Sequence, residues 1–175
     1  YVFGTGTQTL EDVVGALLDT ARKTVSVAES CTGGLITDRL TNVPGSSRWF
    51  DRGVVAYSND SKTTFLDVDR RLIEQHGAVS REVATAMAEG IRRRSGTDFG
   101  VATTGIAGPT GGSAEKPVGL VWIGISSDAV TLAHDYYFGN HRVRTKQRAA
   151  QATLDMLRRH LCSLPPIPTV LTESS

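Results

Sequence analysis

A serine, a cysteine and a threonine follow one another in the segment 28–34, which reads AESCTGG. Ser30 comes at the end of a short alternating pattern typical of a strand and just before a helical pattern. The first backbone N–H groups of a helix have no partner within it, so they can stabilise an oxyanion or hold a phosphate. Ser30 is therefore a candidate nucleophile, and Thr32, Gly33 and Gly34 are candidate substrate-binding residues.

The same segment allows two other interpretations. Ser30 or Thr32 can simply cap the following helix, because hydroxyl oxygens accept hydrogen bonds from its first N–H groups. Cys31 is a rival nucleophile, although a lone cysteine after a strand is more often a small buried apolar residue. The local spacing does not choose between these roles.

A candidate base for the serine lies in a second motif at 57–62, which reads YSNDSK. A serine hydroxyl is a weak nucleophile and needs a base to remove its proton. None of the four histidines lies in a recognisable triad motif. A lysine with a lowered pKa can replace histidine, and a tyrosine can relay the proton, so Lys62 and Tyr57 are candidates. The alternative is that Lys62 is a solvated surface lysine.

The third motif is a glycine-rich segment at 105–112, which reads GIAGPTGG and follows a predicted strand. Backbone N–H groups in such a loop can form a nest for an anion. The segment is not a Walker A loop, because no Gly-Lys-Ser/Thr follows, and it is not a G-x-G-x-x-G fingerprint. The alternative is a flexible hairpin connection. The glycines that become candidate substrate-binding residues are Gly105, Gly108, Gly111 and Gly112.

Composition excludes several classes of protein. The 175 residues include 19 basic and 18 acidic side chains, a net charge of +1, whereas proteins that coat nucleic acid need an excess of Lys and Arg. No run of about 18 apolar residues exists, so neither a transmembrane helix nor a membrane partner is expected. No group of His, Cys, Asp and Glu has metal-ligand spacing, so no metal or other cofactor is predicted. Two cysteines and no apolar leader favour a cytoplasmic location.

Helical and strand patterns interleave in the first part of the chain, and strands follow in hairpin order later. The predicted elements are a helix capped by Thr9, a strand at 24–29, a helix over Leu35–Leu40, a strand at 48–57, a short helix around Lys62–Phe65 after a turn or cap at Ser58 or Asn59, helices capped by Asp69 and Ser80, strands at 98–104, 118–126 and 129–138, and a helix from Asn140 to Cys162. Ser127 and Asp128 are predicted to join the last two strands in a tight hairpin. This order predicts an α/β fold, a three-layer α/β/α sandwich with a mixed parallel and antiparallel sheet.

The chain is predicted to form one domain over residues 1–164, since its 18.7 kDa fit a single domain of ordinary size. Residues 165–175 include three prolines that cannot continue a helix, and they are expected to form a loose tail. The first residue is Tyr1 rather than Met, which leaves open whether the chain is part of a longer polypeptide.

Three segments resemble, in order, the C-terminal domain of the CinA (competence/damage-inducible protein) family. They read SVAESCTGGLIT, GVVAYSNDSK and TTGIAGPTGG…KPVGLVWIGI, and the resemblance extends from about residue 9 to 162. Stand-alone members of this family are nicotinamide-nucleotide amidases. The resemblance therefore implies an α/β/α domain that hydrolyses the carboxamide of nicotinamide mononucleotide. The products are nicotinate mononucleotide and ammonia, within pyridine nucleotide salvage.

The resemblance also implies roles for particular residues. The family's proposed serine, tyrosine and lysine correspond to Ser30, Tyr57 and Lys62, and the threonine before the glycine-rich loop corresponds to Thr104. Many members carry an additional N-terminal domain that resembles molybdopterin-binding domains. Such a domain is absent from the sequence given.

The phosphate of a mononucleotide substrate needs hydrogen-bond donors. The glycine-rich loop or the pair Arg142 and Arg144 can provide them. We expect the partners of the protein to be this small nucleotide and further copies of itself in a homo-oligomer.

Two other functions stay open on the sequence alone. A non-catalytic nucleotide-binding or partner-interaction module, linked to competence or DNA damage, needs the same glycines but has no use for a paired hydroxyl and amine. A different amidohydrolase would use Cys31 as its nucleophile. Ammonia release from nicotinamide mononucleotide distinguishes the amidase from the binding module.

Overall fold

The computed structural model describes residues 7–164, which form a five-stranded mixed sheet. The strands are β1 (Val25–Glu29), β2 (Phe50–Val55), β3 (Phe99–Gly105), β4 (Leu120–Ser126) and β5 (Thr131–Tyr137), in the spatial order β2-β1-β3-β4-β5. β1 is parallel to both β2 and β3, whereas β4 is antiparallel to β3 and β5. The tail predicted at 165–175 lies outside the described residues.

Helices cover both faces of this sheet. The α-helices within the described residues are α1 (Leu10–Ala21), α2 (Leu35–Thr41), α3 (Asn59–Leu66), α4 (Arg70–His76), α5 (Arg81–Ser95) and α6 (Arg142–Leu161), and a short 3-10 helix (Ser46–Arg48) precedes β2. α1, α2 and α6 share one apolar cluster with β1, β3 and β4, which includes Leu18, Ile36 and Leu154. α3, α4 and α5 form a second cluster on the other face, with Ala28 and Ala102. The predicted three-layer α/β/α sandwich with a mixed sheet is confirmed.

Capping side chains begin four helices at the predicted residues. Thr9 forms a reciprocal capping box with Asp12 at the start of α1. Ser58, Asp69 and Ser80 accept hydrogen bonds from first-turn N–H groups of α3, α4 and α5, respectively. These caps bind groups two or three residues away, which is why the sequence pattern reveals them.

The start of the last helix and the length of the last hairpin differ from the prediction. Asn140 does not cap the last helix, because α6 begins one residue later and the His141 ring nitrogen accepts a hydrogen bond from a first-turn N–H at 3.4 Å. The last hairpin is longer than the two residues predicted, since the pairing of Ser126 with Thr131 leaves 127–130 in the turn. There the Ser127 hydroxyl accepts a hydrogen bond from the Val130 N–H at 3.3 Å.

Two glycines allow α5 to pack closely against β3 and against the end of α3. A Cβ on Gly100 of β3 would lie 2.2 Å from the Ala88 carbonyl oxygen in α5. A Cβ on Gly90 of α5 would lie 1.9 Å from the Leu66 carbonyl oxygen at the end of α3. Backbone cannot move away as a flexible side chain can, so glycine is required at both positions. This packing holds α3, which carries Lys62, against the α5 layer.

In the part of the chain that the structure describes, no helix is both long and apolar enough to cross a lipid bilayer. Within the same residues, no group of three or more His, Cys, Asp or Glu side chains is arranged to hold a metal ion.

Candidate active site

Three predicted site residues lie at the edge of the sheet where the parallel strands end. Ser30 follows β1, Tyr57 lies two residues beyond β2, and Thr104 is the penultimate residue of β3. The Ser30 N–H donates to the Thr103 carbonyl oxygen at 3.0 Å and so extends the β1–β3 ladder by one residue. Because strand side chains alternate, Ser30 points to the same face as Ala28, which α3 and α5 cover.

Lys62 is a buried lysine whose amine reaches Ser30. The residue is 1% exposed, although lysine is almost never fully buried unless it is paired. Its Nζ lies 3.2 Å from Ser30 Oγ, 3.1 Å from the Ala56 carbonyl oxygen and 3.2 Å from the Tyr57 carbonyl oxygen. No carboxylate among residues 7–164 forms an ion pair with it. The interpretation of Lys62 as a solvated surface residue is therefore wrong.

The surroundings of Lys62 reduce its affinity for a proton. Burial lowers the pKa of Lys62, because water no longer solvates the ammonium ion, and the neighbouring Cys31 opposes this with a smaller effect. A neutral amine has two N–H donors and one lone pair. In the structure Nζ donates to Ser30 Oγ and to the two backbone carbonyls. When the amine loses one proton, the two carbonyls keep its remaining N–H donors and the lone pair faces the Ser30 O–H. The geometry is that of a base hydrogen-bonded to a nucleophile.

The side chain of Tyr57 is directed away from this pair. Its hydroxyl accepts a hydrogen bond from Arg142 Nη2 at 3.0 Å, and the residue is 58% exposed. Arg142 Nη1 donates to the Gly108 carbonyl oxygen at 2.9 Å, so Arg142 links Tyr57 to the glycine-rich loop. Within residues 7–164, no hydrogen bond joins the Tyr57 hydroxyl to Ser30 or Lys62. Tyr57 contacts the Lys62 amine through its backbone carbonyl instead.

Backbone N–H groups at the start of α2 are already occupied. The buried Glu29 carboxylate accepts hydrogen bonds from the N–H groups of Gly34 at 2.9 Å, Ile36 at 3.2 Å and Thr37 at 2.8 Å. The prediction that the first N–H groups of this helix are open to an oxyanion or a phosphate is therefore wrong for these three. Sequence reasoning missed Glu29 because its position in a strand pattern gives no sign of a helix cap.

The helix-cap interpretation of Ser30 and Thr32 is also wrong. Gly34 occupies the N-cap position of α2, with a φ of 94° and no capping side chain. The buried Thr32 hydroxyl instead pairs with the Thr103 hydroxyl at 2.8 Å, which fixes the turn after Ser30 to β3. Thr103 is a second residue that the sequence did not reveal.

Thr104 and the glycine-rich loop lie near the Ser30–Lys62 pair. Within residues 7–164, no hydrogen bond joins them to that pair. The Thr104 hydroxyl is buried and donates to the Ala78 carbonyl oxygen at 2.7 Å. The loop connects β3 to the antiparallel β4, which agrees with the hairpin interpretation. The glycines of this segment differ in position: Gly105 ends β3, Gly108 is buried, and Gly111 and Gly112 are exposed.

Basic side chains at the start of α6 lie beside the site. Arg142 and Lys146 are four residues apart and share one side of the helix, whereas Arg144 projects about 200° around the axis from Arg142. The Lys146 amine lies 3.3 Å from where a Cβ on Gly33 would be. A groove of about 410 Å³ between α2 and α6 is lined by Lys146, Gly33 and Asp38, among others. Sequence reasoning missed Lys146, although the four-residue spacing from Arg142 was a usable signal.

Cys31 lacks the properties of a reactive cysteine. It is 5% exposed, and burial raises the pKa of its thiol to about 12. The nucleophilic form of cysteine is the thiolate, which such a group does not form at neutral pH. The environment therefore favours Ser30 over Cys31 as the nucleophile.

Comparison with known proteins identifies the family. The sequence profile of the CinA C-terminal domain matches residues 7–161. The chain belongs to the CinA family. This CinA domain is 51% identical to a CinA-like protein of Syntrophus aciditrophicus over 164 residues, which are 93% of this chain and 39% of that protein. It is also 51% identical to a CinA-like protein of Koribacter versatilis over 160 residues, 91% and 39% of the two chains. The chain thus spans less than half the length of these curated relatives.

Solved structures of CinA proteins share the fold. The competence/damage inducible protein of Agrobacterium tumefaciens matches with a TM-score of 0.82 and 40% identity, covering 91% of this chain and 99% of that one. A CinA superfamily protein of Klebsiella pneumoniae matches with a TM-score of 0.84 and 26% identity, covering 89% and 99%. The resemblance drawn from the three sequence motifs is confirmed.

Proposed function

We propose that this CinA domain is a serine amidohydrolase that converts nicotinamide mononucleotide to nicotinate mononucleotide and ammonia. The observation that carries the proposal is the buried Lys62 amine, 3.2 Å from Ser30 Oγ and hydrogen-bonded to two backbone carbonyls. A primary carboxamide is inert, so its hydrolysis needs a nucleophile, a base and a proton for the leaving ammonia. A binding module needs no such pair.

In the first half-reaction, Lys62 removes the Ser30 proton while Oγ attacks the carboxamide carbon. The new C–O bond turns the carbonyl oxygen into an oxyanion. When the tetrahedral intermediate collapses, the C–N bond breaks and the Lys62 ammonium gives its proton to the departing nitrogen. Ammonia leaves, and an ester joins Ser30 to the nicotinoyl group.

In the second half-reaction, water takes the place of ammonia. Lys62 accepts a proton from the water as its oxygen attacks the ester carbon, and collapse of the new intermediate breaks the bond to Ser30 Oγ. The proton returns to Oγ, and nicotinate mononucleotide leaves. One water is consumed and one ammonia is released, and both side chains regain their starting forms.

The oxyanion requires donors that other groups do not already use. Since Glu29 occupies three N–H groups of the α2 start, the remaining candidates are the backbone N–H groups of Cys31 and Thr32, directly after the nucleophile. The Thr32 N–H donates to no backbone carbonyl within residues 7–164, and the Cys31 N–H faces its own thiol, a weak acceptor that an oxyanion would replace. Backbone donors in fixed positions stabilise such a charge without reorganisation.

The phosphate of the substrate fits the basic side of α6. Arg142 and Lys146 lie at adjacent turns on one side of the helix, beside Tyr57 and Gly33 respectively. Like charges four residues apart destabilise a helix, and cations near a helix N-terminus are unfavourable, so a bound dianion would relieve both effects. Arg144 lies on a different side of α6, which favours Arg142 and Lys146 over it.

The function is tested by measuring ammonia release from nicotinamide mononucleotide by the purified protein. A chelator is present in the assay because the proposal uses no metal. We expect release of one ammonia for each nicotinate mononucleotide formed. Calorimetric binding of the nucleotide without ammonia release would favour the binding module. Nicotinamide riboside, which lacks the phosphate, is the matched control substrate and should show a raised KM.

The rate of this reaction should rise with pH through the lowered pKa of Lys62 and then level off. Below that pKa the side chain is an ammonium ion with no lone pair, and above it the amine can accept the serine proton. Because burial moves the pKa of Lys62 below its ordinary value of 10.5, the rise should come at lower pH than for an exposed lysine. A profile of kcat against pH measures this, and a rate that decreases through the same range would rule out the base.

The variant Cys31→Ala should keep its activity, within about threefold of the unsubstituted protein, because a buried thiol contributes no thiolate. Steady-state kinetics with nicotinamide mononucleotide give kcat for both proteins. If a folded Cys31→Ala protein loses more than about a hundredfold in kcat, the nucleophile is Cys31 rather than Ser30.

A further inference from the structure

Glu29 is a fully buried carboxylate next to the proposed nucleophile. It is 0% exposed, and no Lys, Arg or His within residues 7–164 forms an ion pair with it. Its hydrogen-bond partners are the N–H groups of Gly34, Ile36 and Thr37, at 2.8–3.2 Å. Three N–H donors at the start of a helix thus supply the hydrogen bonds of this carboxyl group in place of a cation. Burying a carboxyl group costs free energy, and the other β1 residues are small or apolar, so packing of the strand does not explain why a glutamate stands here.

The contacts of Glu29 connect the segments that form the Ser30–Lys62 pair. Its side chain holds the start of α2, so both ends of the turn 30–34 are fixed relative to β1. Its own carbonyl oxygen accepts a hydrogen bond from the Ala56 N–H at 2.8 Å. Ala56 in turn supplies one of the two carbonyl oxygens that orient the Lys62 amine. One residue thus sets the position of the nucleophile from one side and that of the base from the other.

We infer that Glu29 is a positioning residue for the catalytic pair, acting through the turn that presents Ser30. Both side-chain oxygens must act as acceptors, because the N–H groups of Gly34 and Ile36 donate to one oxygen and that of Thr37 donates to the other. A glutamine of the same length carries an NH₂ group, which would face backbone donors and displace the turn. This inference rests on the proposed role of Ser30 as nucleophile.

The test measures the reactivity of Ser30 without the nucleotide. Diisopropyl fluorophosphate forms a bond from Ser30 Oγ to phosphorus, fluoride leaves, and Lys62 takes the serine proton. We expect Glu29→Gln to be labelled about ten to a hundred times more slowly than the unsubstituted protein, because a displacement of about 1 Å costs up to about a hundredfold. With nicotinamide mononucleotide, kcat should decrease by a similar factor while KM stays within about twofold.

A control on the same helix separates positioning from lost stability. Leu40 lies in α2, is 0% exposed and belongs to the apolar cluster rather than to the turn. Leu40→Val should lower the melting temperature but leave the labelling rate within about twofold. If Glu29→Gln does not fold, Glu29→Asp, which keeps the charge but is shorter by one methylene, is measured instead and should also be labelled slowly.

Three results would overturn the inference. Equal labelling of Glu29→Gln and the unsubstituted protein would show that the turn needs no carboxylate. Equal losses in Glu29→Gln and Leu40→Val would show that only stability had changed. If the unsubstituted protein is not labelled at Ser30 and releases no ammonia, Ser30 is not the nucleophile and the proposed function fails as well. The first two results leave the proposed function intact, so the two kinds of failure can be distinguished.

Discussion

Replacement of Ser30 by alanine is expected to abolish ammonia release, with kcat reduced by about 10,000-fold or more. Alanine has no oxygen to attack the carboxamide, so neither the ester intermediate nor the proton transfer to Lys62 can occur. The fold should persist, because the Ser30 side chain fills little space at the end of β1 and its backbone N–H still bonds to Thr103. Ammonia release and far-ultraviolet circular dichroism together measure the two expectations.

Ser26 offers a matched control for this substitution. It lies on β1, on the face to which Ser30 also points, and is 0% exposed. It hydrogen-bonds with the Thr97 hydroxyl at 2.8 Å, away from the site. Ser26→Ala should therefore lower stability without a large loss of activity. If Ser30→Ala keeps more than about a tenth of the original kcat, Ser30 is not the nucleophile.

Lys62→Arg should lose activity almost as completely, by about a thousandfold at every pH from 6 to 10. Arginine keeps the positive charge, but its pKa lies above 12, so it has no lone pair with which to accept the serine proton. Its planar group also cannot repeat the contacts of Nζ to Ser30 Oγ and two carbonyl oxygens at 3.1–3.2 Å. The measurement is kcat as a function of pH, with folding checked by thermal denaturation.

Lys62→Met and Lys23→Arg complete this experiment. Methionine removes the amine while filling a similar volume, so Lys62→Met should be folded and inactive. Lys23 pairs with Asp98 at the opposite end of the sheet, and Lys23→Arg should keep normal kinetics. Near-normal activity of Lys62→Arg across the pH range would mean that the lysine acts as a fixed positive charge, and the base assignment would be dropped.

Local interactions explain which features could be predicted from the sequence. The caps Thr9, Asp69 and Ser80 bind N–H groups two or three residues away, so a short pattern contains both partners. Periodicity identified the helices and strands, and their order predicted the three layers of the fold. The sequence predicts Asn140 as the cap of the last helix, but His141 occupies that position. Both side chains can accept a first-turn hydrogen bond, so local sequence does not fix the start of the helix to within one residue.

Contacts between distant segments explain what the sequence could not reveal at the site. The Tyr57 hydroxyl is held by Arg142, 85 residues away, and the Thr32 hydroxyl by Thr103, 71 residues away. Glu29 captures N–H groups five to eight residues along the chain, across a turn that carries no capping pattern. Each of these contacts depends on how strands and helices are arranged in space, so no local spacing predicts it.

The sequence by itself determined which residue types are available for chemistry, a serine at a strand end and a lysine near a helix start, and the α/β/α order of the elements around them. The tertiary structure alone decided that these two side chains meet at 3.2 Å and that the lysine is buried. That burial depends on α3 packing against α5 at Gly90, where backbone approaches backbone. The pKa of Lys62 is lowered because this packing removes water from its amine, and desolvation is a property of the assembled layers rather than of any segment.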